Sequence, residues 1–146
     1  MKHSVIAILL SFLVVLAACG GGNNSGNING NWTAALTSTT GGTQFAFTTN
    51  ITEVSGSSLS FTNFRFTTSG SCFTSPTTET GSFVFSGDFN GNVTGQYQMT
   101  ISTEFPSNNN VLTLTGGVNG NTVSGTWTLT GGAGCTGNGT FTMNRG

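Results

Sequence analysis

Hydrophobic residues recur at every second position in two similar segments of the chain, residues 87–100 and residues 116–130. In each segment a valine is followed, at steps of two, by a glycine, an aromatic residue and a large aliphatic residue. These positions are Val93, Gly95, Tyr97 and Met99 in the first segment and Val123, Gly125, Trp127 and Leu129 in the second. An alternation of period two predicts antiparallel strands with one buried and one solvated face.

The same alternation predicts eight strands and no helix along the chain. The strands span residues 31–37, 43–54, 59–67, 81–89, 93–103, 111–118, 123–130 and 140–145. Eight antiparallel strands are enough to close a sheet on itself, and closure removes two exposed edges. We therefore predict an all-β fold, an eight-stranded antiparallel up-and-down β-barrel. The alternative is a β-sandwich of two antiparallel sheets.

The third strand contains a change of phase in its apolar alternation. Leu59 and Phe61 share one face, whereas Phe64 and Phe66 fall on the other. One additional residue near Asn63 would return all four side chains to a common face. We therefore expect a β-bulge at that position, because a bulge inserts one residue into a strand without ending its pairing.

The connections between strands separate into two groups. Tight turns, including residues 90–92 and the pair Gly120-Asn121, share one end of the barrel with the N-terminus. The longer loops share the other end, and they hold Cys72 and Cys135. In an exported protein these two cysteines are expected to form a disulfide, which would stabilise the fold by about 4 kcal/mol in the chain-entropy description.

The N-terminus is similar to the export signal of a bacterial lipoprotein. Lys2 supplies a positive charge, and residues 4–16 form an apolar run that is too short to span a membrane comfortably. The run ends in Leu16-Ala17-Ala18-Cys19, which matches the lipobox of that protein class at every position. The resemblance implies cleavage before Cys19 and a diacylglyceryl group on its sulfur.

This resemblance also implies an organisation of the whole chain. Residues 1–18 are a signal peptide, residues 19–29 are the lipidated cysteine and a flexible Gly/Asn tether, and residues 30–146 are a single barrel domain. The lipid makes the membrane a partner of the protein. Because Gly20 rather than an aspartate follows the cysteine, the resemblance implies an outer-membrane address in a host with two membranes.

Charge and composition exclude several functional classes. After cleavage the side chains would comprise two arginines against four carboxylates, so the chain offers no basic surface for nucleic acid. The single histidine and the single lysine leave with the signal peptide. Without them, and with the cysteines committed, the sequence offers no Ser-His or Cys-His nucleophile and no zinc site of the usual kind. We expect no cofactor and no metal.

Carboxylates are the remaining groups able to do acid–base chemistry. Glu79 and Glu104 both lie near the long-loop end on adjacent predicted strands. By strand parity Glu79 extends the inward face and Glu104 the outward one, whereas a hydrolytic pair must flank one substrate. We therefore predict no catalytic residues, and a carboxylate-dependent hydrolase is the weakest of the functional alternatives.

Residues at the two ends of the domain resemble a signature of the calycins, the superfamily of lipocalins and avidins. Gly30-Asn31-Trp32 is similar to their first-strand G-x-W motif, and Arg145 is similar to the arginine that packs across that tryptophan. The resemblance implies a small barrel that can hold a ligand. An avidin-like biotin site is not implied, because Ala34 stands where avidins place a biotin-binding asparagine.

Two non-enzymatic functions follow from these observations. In the first, the protein has a structural or adhesive role at the cell envelope and its barrel is packed solid by aromatic residues. In the second, the barrel binds a small apolar ligand in a cavity that opens away from the membrane. The residues expected to line such a cavity are Trp32, Phe47, Phe85, Tyr97 and Trp127.

Overall fold

The computed structural model of the protein describes residues 28–73, 77–85, 94–103 and 109–146. They contain eight β-strands and one short 3-10 turn at Ser55–Ser57. The strands are β1 (Gly30–Ser38), β2 (Thr43–Glu53), β3 (Ser58–Thr68), β4 (Thr77–Phe85), β5 (Thr94–Thr103), β6 (Val111–Asn119), β7 (Thr122–Thr130) and β8 (Gly137–Arg145). In this part of the chain no helix is long and apolar enough to cross a membrane.

The eight strands form one closed antiparallel barrel in which each strand pairs with its neighbours along the chain. The ring is completed by β8 pairing with β1, from Trp32 opposite Arg145 to Ser38 opposite Gly139. The predicted up-and-down barrel is therefore confirmed, and the sandwich alternative is wrong. Leu36 lies directly opposite Phe141, so the first and last strands belong to the same sheet.

The core of the barrel follows from the alternation of apolar residues. In β1 every second side chain is buried, and the residues between them point outward. The same alternation continues around β6, β7 and β8. The largest fully buried side chains are Trp32, Trp127, Tyr97, Phe47, Phe83, Ile28, Leu36, Ile51, Met99, Ile101, Leu112 and Leu114. One enclosed interior thus collects residues from nearly every strand.

The expected bulge is present in β3. Thr48 lies opposite Arg65, but Asn50 lies opposite Thr62, so β3 contains one residue more than β2 across this interval. Asn63 has a φ of 53°, a left-handed conformation that asparagine tolerates better than most residues. The bulge returns the phenylalanines that follow it to the apolar face, where they pack against the core.

The turn between β6 and β7 has the expected register. Val118 lies opposite Val123 and Asn119 opposite Thr122, which leaves Gly120-Asn121 as a two-residue turn. Gly120 has a φ of 59°, a conformation that glycine adopts at no steric cost. The other predicted tight turn, at residues 90–92, lies outside the described residues.

Two strands begin three or more residues earlier than their sequences predict. β4 begins at Thr77 rather than at residue 81, because a polar run with little apolar alternation still pairs through its backbone with β5. β8 begins at Gly137 rather than at residue 140. Its first three residues pair with β7 although none of them has an apolar side chain. The two glycines among them, Gly137 and Gly139, leave space for the Trp127 ring.

The folded domain also begins earlier than residue 30. Ile28 is fully buried and belongs to the core, although the sequence placed it in the tether. The side chain of Asn29 accepts a hydrogen bond of 2.6 Å from the backbone N–H of Glu53. The last two residues of the predicted tether are therefore attached to the barrel. The signal peptide, Cys19 and the rest of the tether lie outside the described residues.

Candidate functional site

The barrel interior is the place where the sequence predicts a ligand. Trp32 and Phe47 expose none of their surface, and Tyr97 and Trp127 expose 1% each. A side chain that lined a water-sized void would retain exposed surface, so these four residues contact protein on all sides. Phe85 ends β4, and its side chain lies outside the described part. The four described candidates are thus brought into one interior, where the surrounding core covers them.

Glycines on the inward face make room for the rings. A Cβ at Gly95 would lie 2.5 Å from the Phe83 ring, and a Cβ at Gly81 would lie 2.8 Å from the Phe61 ring. Each glycine lies beneath the aromatic ring of a neighbouring strand, and the ring occupies the space that a side chain would need. Glycine in the alternating pattern is therefore part of the core packing and not a break in the strands.

A cluster of aromatic rings fills the long-loop end of the barrel. The centroid of the Phe45 ring lies 5.6 Å from that of Trp127 and 5.8 Å from that of Phe73, both in edge-to-face geometry. Phe73 also stacks on Phe66, with 5.0 Å between ring centroids. Phe73 is buried although it lies in a loop. It covers the long-loop end of the barrel, where the sequence predicts the mouth of a cavity.

A disulfide and a buried asparagine hold the loops at this end together. Cys72 and Cys135 are bonded, as expected. The side chain of Asn110 donates a hydrogen bond of 2.6 Å to the carbonyl oxygen of Cys72, and its own oxygen accepts one of 3.1 Å from the N–H of Gly132. Since Asn110 precedes β6, its side chain joins three different connections of the barrel.

The indole of Trp127 fixes the same end from inside. Its Nε1 donates a hydrogen bond of 3.0 Å to the carbonyl oxygen of Thr37 in β1. A Cβ at Gly139 would overlap that carbonyl and would lie 2.8 Å from the indole nitrogen. Only a glycine leaves space for this contact, which explains the glycine at the inward position of β8.

Tyr97 is the most buried ionisable group of the interior. Its hydroxyl donates a hydrogen bond of 3.2 Å to the sulfur of Met99, and a thioether is a weak acceptor. Burial raises the pKa of Tyr97 far above its usual range, because the apolar interior cannot solvate a phenolate. Tyr97 is therefore a neutral packing residue and not a general base.

The opposite end of the barrel is closed by Trp32 and Arg145. The guanidinium of Arg145 lies over the Trp32 ring, 4.9 Å from the ring centroid. The indole nitrogen of Trp32 donates a hydrogen bond of 2.8 Å to the carbonyl oxygen of Ile28. Gly30 has a φ of 141°, and a Cβ there would approach the Arg145 side chain to 3.3 Å. Burial lowers the pKa of Arg145 from its usual value.

The structure describes one of the two carboxylates considered for catalysis, Glu79. Glu79 lies in β4 opposite Ile101 on a half-buried inward position, and it accepts a hydrogen bond from the hydroxyl of Thr77. Glu104 lies outside the described residues. In residues 28–73, 77–85, 94–103 and 109–146 no group of three or more His, Cys, Asp or Glu residues could hold a metal ion.

Comparison with known proteins assigns no family to the chain. No protein-family model matches the chain, and neither a curated protein nor a solved structure is significantly similar to it.

Three residues that build the two ends were not predicted from the sequence. Asn110 gives no local signal, because its role depends on three loops meeting in space. Phe73 follows Cys72 directly, so a disulfide at that position could have indicated that the neighbouring ring turns inward. Ile28 is the lone apolar residue of a polar segment, and this isolation was the available indication that the segment ends in the core.

Proposed function

We propose that this protein is a lipid-anchored, exported envelope protein whose barrel has a structural or binding role and carries no catalytic machinery. The outer membrane is its proposed location, on the basis of the lipobox resemblance and of Gly20. The observation that carries the proposal is the state of the interior: Trp32, Phe47, Tyr97 and Trp127 are covered on all sides. A barrel filled in this way is a rigid body on a tether, and its outer surface is what it offers to partners.

The arrangement of the two ends supports this orientation. Ile28 enters the barrel beneath Trp32, so the lipidated segment would leave from the end that Arg145 closes. The disulfide and Asn110 rigidify the opposite end. A lipid at Cys19 would then hold the Arg145 end towards the bilayer and direct the disulfide end away from it.

The Arg145 to Trp32 contact also supports the proposed relationship to calycins. In that superfamily an arginine of the last strand packs across a first-strand tryptophan, and the two residues have the same relative placement here. The proposal of kinship concerns the barrel architecture. It does not extend to a ligand, since unrelated functions occur on one fold.

Acylation of Cys19 can be tested in bacterial cells that express the full chain. Cells are grown with an alkyne-tagged fatty acid, and the protein is examined for label and for its mass after purification. We expect labelled protein in the membrane fraction, loss of the label in the Cys19→Ser variant, and accumulation of the uncleaved form when the lipoprotein signal peptidase is inhibited. Retention of residues 1–18 on the untreated wild-type protein would contradict the proposal.

The interior-ligand alternative makes a different prediction about the same purified protein. An apolar ligand would have to displace rings that now contact one another, such as Phe45 and Trp127. Tryptophan fluorescence during titration with a fatty acid tests this: a filled interior predicts no saturable change, whereas saturable quenching would favour the ligand-binding alternative. Substituting Glu79→Gln in any hydrolytic assay tests the weakest alternative, which requires that carboxylate.

A further inference from the structure

The barrel wall is incomplete between β3 and β4. β3 pairs with β2 from Leu59 to Thr68, but it pairs with β4 only through Ser58 and Leu59. β4 in turn pairs with β5 along its whole length. Within the described residues, the edge of β3 at residues 60–68 and the edge of β4 at residues 77–80 therefore have no ladder between them. We call these two edges the β3–β4 seam.

Local features of β3 explain why the strands separate. The bulge at Asn63 changes the register against β2, and a second shift follows between Ala46 and Phe47. Bulges increase the local twist of a strand, which carries it away from a neighbour on its other side. At the last pair of the ladder, Leu59 with Gly81, the Phe61 ring lies on the face of Gly81, where a Cβ would approach it to 2.8 Å.

Aromatic surface is exposed along the same strand. Among the aromatic side chains that the structure describes, Phe61, Phe64 and Phe66 are half-buried, and the others are buried. The rings of Phe64 and Phe66 lie edge to face with 5.0 Å between centroids, and Phe64 lies 4.9 Å from Phe47 of the core. The seam therefore combines apolar rings with two rows of main-chain groups that have no sheet partner among the described residues.

This combination of groups favours an extended peptide over a small apolar molecule as the ligand of the seam. A small apolar molecule could cover the phenylalanine rings, but it would leave the main-chain N–H and C=O groups without partners. An extended peptide supplies both kinds of contact, since its backbone continues a sheet and its alternate side chains enter apolar pockets. We propose that the β3–β4 seam binds an extended segment of another protein by strand addition to β3.

Charge indicates the sequence of that segment. Arg65 of β3 is exposed, whereas Arg145, the other cation of the described chain, is half-buried over Trp32. Glu79 occupies an inward-parity position on β4 and accepts the Thr77 hydroxyl, so it lies on the face of the rings and not on that of Arg65. A segment that alternates apolar and acidic residues would place the apolar ones on the phenylalanines and an acidic one beside Arg65.

A second copy of the chain fits the seam less well. Two β3 strands related by a twofold axis would bring Arg65 and its own copy to the same outward face, where like charges repel. The peptide inference extends the proposed binding role and rests on it, but it is independent of Cys19 because acylation is tested by a different measurement.

The test uses the full chain, expressed in bacteria and purified in mild detergent. The probes are three fluorescent, end-capped nonapeptides in which valine alternates with aspartate, threonine or lysine, and binding is followed by fluorescence anisotropy. We expect the aspartate peptide to bind best and the lysine peptide worst. Arg65→Gln should reduce that preference by about threefold or more, the scale of one exposed ion pair. Thr126→Glu, which makes the same change of charge on β7, should leave the preference unaltered.

The backbone part of the inference has its own controls. Methylating every second amide nitrogen of the aspartate peptide should weaken binding by about tenfold or more, because it removes several main-chain hydrogen bonds. When the unmodified peptide binds, hydrogen exchange should slow at those amides of residues 60–68 that point away from β2. The inference is overturned if no peptide binds below about 1 mM, if methylation has no effect, or if these amides are already protected in the free protein. Protection that rises with protein concentration would identify a second copy as the occupant instead.

Discussion

The guanidinium of Arg145 lies 4.9 Å from the centroid of the Trp32 ring, and the two residues are also directly opposite each other in the ladder between β8 and β1. The final residue of the last strand thus covers the first aromatic residue of the first strand. Because this pair stands where the sheet closes, it joins the two ends of the domain and seals the barrel beside Ile28.

Replacing Arg145 with alanine should destabilise the domain by about 1–2 kcal/mol, through loss of the cation–π contact and of the packing of the arginine stem. Lysine at this position should recover part of the loss, because it keeps the charge but not the planar group. Urea denaturation followed by tryptophan fluorescence measures both changes. Arg65→Ala is the matched control and should stay within about 0.5 kcal/mol of wild type. Equal effects of the two substitutions would mean that Arg145 does not close the barrel.

Gly116 and Gly117 provide a second matched pair, since they are adjacent residues of β6 on opposite faces. A Cβ at Gly116 would overlap the carbonyl oxygen of Ser124, whereas a Cβ at Gly117 would lie 3.7 Å from the nearest atom, an ordinary contact. Gly116→Ala should therefore cost about 1–3 kcal/mol as an overpacked site. Gly117→Ala should be neutral or stabilising by up to about 1 kcal/mol, because alanine restricts the unfolded chain. Thermal unfolding followed by circular dichroism compares the two variants. If Gly117→Ala were the more destabilising, Gly117 and not Gly116 would lie on the inward face of β6.

Asn110 should be sensitive to an isosteric change. In Asn110→Asp the side chain can no longer donate to the carbonyl oxygen of Cys72, and a carboxylate would face that oxygen instead. We expect a loss of about 1–3 kcal/mol at neutral pH, the cost of an unsatisfied buried polar group. Asn109→Asp is the control, because Asn109 is exposed and its φ of 43° suits aspartate as well as asparagine. Chemical denaturation of the two variants gives the difference, and similar values would show that Asn110 does not clamp the loops.

The apolar alternation predicted the barrel because every inward position needs burial and the parity of each strand allows one register. The pairing of Val118 with Val123 and the bulge at Asn63 both follow from that requirement. Where polar backbone pairing extends a strand, as at Thr77, no side-chain pattern marks the boundary. The role of Asn110 depends on loops that meet only in the folded chain, so the sequence alone could not indicate it. The lipobox remains a prediction.

The seam illustrates a different limit of sequence patterns. Phe61, Phe64 and Phe66 were expected to be inward residues, and they do pack against the core. The apolar alternation of a strand predicts which side chains point inward. It does not predict whether the strand pairs with both of its neighbours. A bulge increases the twist of a strand, and the bulged β3 pairs with β4 only at Ser58 and Leu59 among the residues that the structure describes.

Because of Tyr97, the stability of the protein should fall at alkaline pH. Burial raises the pKa of Tyr97 in the folded state, whereas an unfolded tyrosine has a pKa of about 10. The neutral hydroxyl therefore contributes its full stability below that value and loses it as the pH rises towards the folded-state pKa. Tyr97 is the single tyrosine of the chain, so phenolate absorbance reports on this residue alone. We expect phenolate to appear together with the loss of the barrel signal in circular dichroism.

Tyr97→Phe is the control for this pH dependence. At neutral pH its stability should differ from wild type by less than about 1 kcal/mol, because the sulfur of Met99 is a weak acceptor for the lost hydroxyl. Above the ordinary tyrosine pKa the variant should become the more stable of the two, since the described residues contain no lysine and both of their cysteines are disulfide-bonded. Ionisation of wild-type Tyr97 near a pH of about 10 with the barrel still folded would show that water reaches the interior, and it would favour a cavity over a filled core.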